Sequence, residues 1–107
     1  MGRSAKFFIL TVTFFLMLVQ SAWALDGKKL YTEKFCITCH GKQGVSVAPN
    51  YPNLAGQNLE YMKNQVADII AGKRKTKLTL LMTSNPVVMN ITPEETSAIA
   101  EYLTTMK

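Results

Sequence analysis

One histidine and two cysteines in 107 residues leave little metal-binding or nucleophilic chemistry to distribute along this chain. The cysteines, Cys36 and Cys39, have no second Cys or His pair to join them, which disfavours a zinc ribbon or finger. No β-rich run precedes Cys36, so a thioredoxin-type redox pair lacks the strand it should follow. A disulfide across two residues closes a loop too small to stabilise much. No segment sustains the apolar and polar alternation of a strand. There is neither a long basic run nor an aromatic-interleaved strand pattern, so a nucleic-acid partner is not called for.

What is present is concentrated in Cys36-Ile37-Thr38-Cys39-His40. Two thiols and an imidazole at C-x-x-C-H spacing are the arrangement that attaches a c-type haem. Each sulfur adds to one vinyl group, and the adjacent histidine falls beneath the ring to bind iron. His40 is the only histidine, so nothing competes with it for the proximal position.

The N-terminus reads as an export signal. Arg3 and Lys6 form a positive n-region, Phe7 to Val19 is a run of thirteen uncharged residues, and Ala22-Trp23-Ala24 is a small-x-small cleavage site. Residues 1–24 are therefore expected to be a cleaved signal peptide, which points to the periplasm. The alternative is a retained anchor, since Phe7 to Leu25 spans nineteen mostly apolar residues, although Gln20 and Ser21 interrupt it. Cleavage after Ala24 leaves residues 25–107, a single domain of 83 residues with net charge +3. A domain of that size buries only about 60% of its unfolded surface, so it usually needs a staple. Covalent haem would serve.

Three helices are expected. Asp26 caps a first helix from Gly27 to about Phe35, with Leu30, Tyr31 and Phe35 toward the core and Lys28, Lys29 and Lys34 outward. From Gln57 to about Ala71, the positions Leu59, Met62, Val66, Ile69 and Ile70 keep helical spacing, and Gly72 supplies the stop. Thr92, Pro93 and Glu95 write a capping box for a terminal helix that places Ile99, Tyr102, Leu103 and Met106 on one face. Gly41 to Gly56 and Lys73 to Ile91 read as long non-helical stretches, which need something such as a haem to organise them.

The pattern resembles class I c-type cytochromes, in particular the small bacterial monohaem proteins of the c553 and c4-like type. The resemblance rests on C-x-x-C-H-G at Cys36 to Gly41 and on Ala48-Pro49-Asn50-Tyr51-Pro52-Asn53-Leu54-Ala55-Gly56-Gln57. A downstream methionine loop and Ile91-Thr92-Pro93-Glu94-Glu95, opening a terminal helix that ends in Tyr-Leu, complete it. It implies an all-α fold of three main helices plus haem-wrapping loops, and one haem c with iron. The same resemblance implies thioethers at Cys36 and Cys39, iron bound by His40, and a Pro49 carbonyl that accepts the other ring N–H of His40. Such a contact fixes the tautomer of the ligand and raises its basicity. Gly27 and Tyr102 match positions where the first and last helices of such proteins cross closely.

For the sixth ligand the resemblance implies a methionine a little before the terminal helix. Met62 and Met106 lie on expected helix faces, where methionine is usually core filler. Of the two left, Met82 sits ten residues before Thr92 and Met89 only three, which favours Met82. The sequence departs from the commoner pattern of this loop at Asn85-Pro86-Val87-Val88. The implied function is one-electron transfer between redox proteins by a soluble monomer, not an enzyme. Lys73, Arg74, Lys75 and Lys77 stand before the loop that leads to Met82, where they are read as steering an acidic partner; the alternative is a solvated cluster at a helix end. Two rivals are a haem protein with an open sixth site, for gas or peroxide chemistry, and a dedicated electron-transfer subunit of a periplasmic dehydrogenase or reductase.

Overall fold

Local capping codes set most of the helix boundaries. The computed structural model describes residues 24–106; residues 1–23, the stretch read as an export signal, lie outside them. Among the described residues there are six helices: α1 (Gly27–Glu33), α2 (Cys36–His40), α3 (Leu59–Ile70), α4 (Lys77–Thr83), α5 (Pro86–Met89) and α6 (Pro93–Thr104). None of them is a strand, and none is long and apolar enough to cross a membrane.

The three expected helices form where their codes lie. Asp26 accepts the Lys29 N–H at 3.2 Å to open α1, and Asn58 accepts that of Tyr61 at 2.9 Å to open α3. Gly72, at φ 75°, ends the turn after α3 in a conformation that glycine adopts without strain. At α6 the capping box is complete: the Thr92 hydroxyl accepts the Glu95 N–H at 3.1 Å, and Glu95 Oε1 accepts the Thr92 N–H at 3.0 Å.

The stretch from Lys73 to Ile91 corrects the sequence reading, because it contains α4 and α5 where a loop was expected. Its caps are present but unusual. Thr76 and Thr79 cap α4 reciprocally, a threonine standing where glutamate is normal. Asn85 accepts the Val87 N–H at 2.9 Å and Pro86 occupies the first turn of α5. Helices of seven and four residues are too short to display an apolar period.

The core lies where α1 and α3 pack on α6, and it buries Leu30, Tyr31, Met62, Ile99, Ala100 and Leu103. Side chains of this kind contribute about 1.5–3 kcal/mol each when fully buried. The α1–α6 crossing depends on Gly27, as the resemblance implied: a Cβ there would overlap the Ala98 carbonyl and crowd the Tyr102 Cβ. Beside it the rings of Tyr31 and Tyr102 meet in a tilted pair with centroids 5.9 Å apart. The Tyr31 hydroxyl is buried and donates to the Gly41 carbonyl at 2.6 Å. Burial, with smaller contributions from Cys36 and Tyr102, pushes that hydroxyl up to about 12, so it remains a donor throughout the physiological range.

Lys34, expected to point outward, folds onto Glu95 instead, with Nζ 2.9 Å from Oε2 and both side chains partly buried. The Thr92 N–H and the Lys34 ammonium together hold the Glu95 carboxyl below its ordinary value of 4.5. A depressed carboxylate adds stability above its unfolded pKa and loses it as the pH falls through the native one. Glu95→Gln should therefore lower the thermal unfolding midpoint at neutral pH, and the gap from the wild type should close between about pH 5 and 3. A gap that stayed constant with pH would show that the carboxylate charge contributes nothing there.

Candidate functional site

The C-terminus of α1 aims the chain at the two thiols. Lys34 and Phe35 close that helix, and their N–H groups donate to the Leu30 carbonyl at 2.8 Å and the Thr32 carbonyl at 3.1 Å. Phe35 adopts the left-handed conformation at φ 63°, which costs a non-glycine residue roughly 1–2 kcal/mol. The sharp turn lets α2 start at once. Within that single short helix Cys36 and Cys39 stand one turn apart and share a face, with His40 directly behind. Both thiols are free and half-buried, and His40 is buried. Burial pushes the Cys36 thiol up to about 11, so it stays protonated at neutral pH.

All three side chains line one cavity of about 810 Å³. Its other walls come from Met62, Val66 and Ile69 of α3, from Leu78, Leu81 and Met82 of α4, from Ile99 and Leu103 of α6, and from Pro49, Tyr51 and Pro52 in the loop after α2. An apolar, flat-bodied cofactor that carries two electrophilic vinyl groups and a metal matches these donors. The thiols can take the vinyls and the imidazole can take the metal.

The imidazole is prepared for that role. Its Nδ1 lies 3.0 Å from the Pro52 carbonyl oxygen, which fixes the proton on Nδ1 and leaves the Nε2 lone pair free. Burial lowers the His40 pKa, and the Pro52 carbonyl only partly offsets this, so the neutral, ligating form is favoured.

The carbonyl is that of Pro52 and not of Pro49, the residue implied by resemblance. The loop explains the difference. Ala48 to Tyr51 make a β-turn, closed by Tyr51 N–H to the Ala48 carbonyl at 3.2 Å, with Pro49 at its second position, where proline is favoured. The turn engages the chain at Pro49 and delivers the next proline to the histidine. The following residues are then pinned: the N–H groups of Leu54 and Ala55 both donate to the Gly44 carbonyl, at 2.7 and 3.1 Å, and Asn53 Oδ1 accepts the Ser46 N–H at 2.8 Å. Pro49 remains in the cavity wall. The A-P-N-Y turn signal was available in the sequence and could have shown which proline is free.

The methionines separate clearly. Met82 lines the cavity from α4 and is half-buried, whereas Met89 is 38% exposed and takes no part in the wall. Met62 reaches the wall as a member of the buried core, and Met106 packs against that core. Of the basic cluster, Arg74 and Lys77 reach the cavity rim, where Arg74 Nη1 donates to Gln65 Oε1 at 2.9 Å. Lys73 and Lys75 are exposed.

The chain is similar to cytochrome c-554(548) of Halomonas halodenitrificans, at 37% identity over 63% of this chain and 78% of that protein. It is 31% identical to the thiosulfate dehydrogenase electron acceptor of Stutzerimonas stutzeri over 85% of this chain, but spans only 44% of that protein. Among solved structures, cytochrome c4 of Acidithiobacillus ferrooxidans superposes with a TM-score of 0.61 at 30% identity, covering 75% of this chain and 47% of the other. The family model for cytochrome c matches residues 24–107. A match that runs through the whole described fold makes the chain a member of the cytochrome c family, an electron carrier built on covalently bound haem c and its iron.

Proposed function

We propose that this chain is an exported one-electron carrier in which Cys36 and Cys39 hold the haem by thioethers and His40 and Met82 are the axial ligands to iron. The observation that carries the reading is the presence of His40 and Met82, from different helices, in the wall of one cavity that excludes Met89. The bound haem supplies the chemistry, a one-electron cycle between Fe(III) and Fe(II). The protein supplies everything else. His40 presents Nε2 because the Pro52 carbonyl holds Nδ1. Met82 offers a thioether, which favours the reduced metal and raises the potential relative to stronger donors. Leu78, Leu81, Ile99 and Leu103 keep water from the cavity. A sixth position left open is less well supported, since Met82 faces the cavity and there is no second histidine to act as a distal donor.

Partners are redox proteins. That a dehydrogenase is among them is supported by the similar Stutzerimonas protein, which is named as an electron acceptor for thiosulfate dehydrogenase. The basic segment before Met82 suits an acidic partner surface. Lys73 and Arg74 sit at the C-terminal end of α3, their N–H groups on the Asp68 carbonyl at 2.8 and 3.1 Å, where the helix dipole favours cations. Lys77 is different. It is the first residue of α4, the end at which a positive charge is disfavoured, so local helix stability does not account for it.

Three outcomes follow from this reading. Haem should remain on the polypeptide through acid and organic extraction and a denaturing gel, and Cys36→Ala should accumulate little folded protein; an extractable haem and an intact mass equal to the bare chain would exclude the thioethers. Met82→Ala should abolish the weak sulfur-to-iron charge-transfer band, admit cyanide and lower the potential, while Met89→Ala leaves all three unchanged. The reverse pattern would move the ligand to Met89. Finally, exposed charges act over roughly 10 Å at 0.1 M salt and mainly on association rate. Electron transfer to an acidic acceptor should slow with rising salt, and Lys75→Glu/Lys77→Glu should remove most of that dependence. Identical salt curves for the two proteins would leave the cluster without a steering role.

A further inference from the structure

Five described residues adopt positive φ, and four of them are glycines: Gly41, Gly44, Gly56 and Gly72. The fifth is Phe35. Wherever else this backbone needs the left-handed region, the residue without a side chain is used, and the C-terminal turn of a helix is a place where glycine is most favoured. A bulky aromatic at such a position is a genuine outlier, and outliers of this kind persist when the side chain serves a site.

Burial in the protein core does not explain the ring. Phe35 is 50% exposed and stands outside the apolar cluster of α1, α3 and α6. Phe35 is one of the residues lining the haem cavity, immediately before Cys36. Its backbone is fixed at the head of α2, where the Phe35 carbonyl accepts the Thr38 N–H at 3.2 Å and the Phe35 N–H donates to Thr32 at 3.1 Å. The residue is therefore held next to the first proposed attachment point, with its side chain half accessible and on the cavity wall.

We infer that Phe35 is a positioning residue whose ring covers the edge of the haem beside Cys36 and holds the reduction potential up by keeping water from that edge. The physical lever is local polarity: water near the ring favours the more charged ferric state, and an apolar cover favours the ferrous one. The inference rests on haem being attached at Cys36, as proposed above.

The test compares Phe35→Ala, Phe35→Gly and Phe35→Leu in the haem-loaded protein, with haem content and intact mass recorded for each sample. A sample with incomplete haem reports on attachment, whereas fully loaded samples report on the ring. Alanine and glycine both remove the ring, so both variants should show a lower midpoint potential and a several-fold faster oxidation of the ferrous protein by ferricyanide. Leucine keeps the apolar bulk and should stay close to the wild type. Glycine alone relieves the backbone, so its thermal midpoint should exceed that of the alanine variant while their potentials agree. Fully loaded alanine and glycine variants with wild-type potentials would overturn the inference, as would a leucine variant that falls as far as alanine.

Discussion

A domain this small cannot close a core of its own around a cavity of about 810 Å³, and that constraint shapes the rest of the molecule. The residues that would fill a larger protein's interior are turned into walls. Leu78 and Leu81 of α4 are 44% and 54% exposed and line the cavity. The buried cluster where α1 and α3 meet α6 is what the polypeptide provides for itself. Haem c would supply the remainder, with the proposed crosslinks at one short helix and walls from segments distant in sequence.

Legibility followed the range of the interactions. That Cys36, Cys39 and His40 stand together was legible directly, because residues within one helical turn are placed by local geometry, and the structure puts all three in the wall of one cavity. The starts of α1 and α6 were readable for the same reason, each having a capping side chain within three residues of the backbone group it satisfies, while α3 was read from its apolar period and the Gly72 stop. Gly27 was legible through resemblance, and the overlap of a Cβ with the Ala98 carbonyl gives its physical reason. Two kinds of feature escaped. Short elements such as α4 and α5 carry caps but no period, so a reading based on periodicity sees a loop. Long-range pairings such as Lys34 with Glu95 leave no mark at all on either segment. The exchange of Pro49 for Pro52 belongs to a third kind, in which the right segment was recognised and a single turn decided which residue faces the ligand.

Glu95 shows how few polar groups such a domain needs when each is used twice. One carboxylate oxygen closes the capping box of α6, and the other binds the lysine that ends α1. The residue after that lysine is Phe35, and the next is Cys36. The start of the terminal helix is thereby tied, through one ion pair and two peptide bonds, to Cys36, the first of the two proposed attachment points. No buried side-chain polar atom among the described residues lacks a hydrogen-bond partner, so this economy leaves nothing unsatisfied.

The Tyr31 hydroxyl on the Gly41 carbonyl has a consequence for how the protein responds to stress. Gly41 directly follows His40, the proposed iron ligand, and Tyr31 is packed against Tyr102 in the crossing of α1 and α6. Loosening that crossing therefore frees the end of α2 and with it the orientation of His40. With His40 as the iron ligand, thermodynamic reciprocity would make the linkage run both ways: whatever strengthens its bond to the metal would also tighten the crossing of α1 and α6. Oxidation state, which alters the strength of axial ligation, would then be a variable of the fold as well as of the cofactor, and the reduced and oxidised proteins would differ in the stability of the same helix pair.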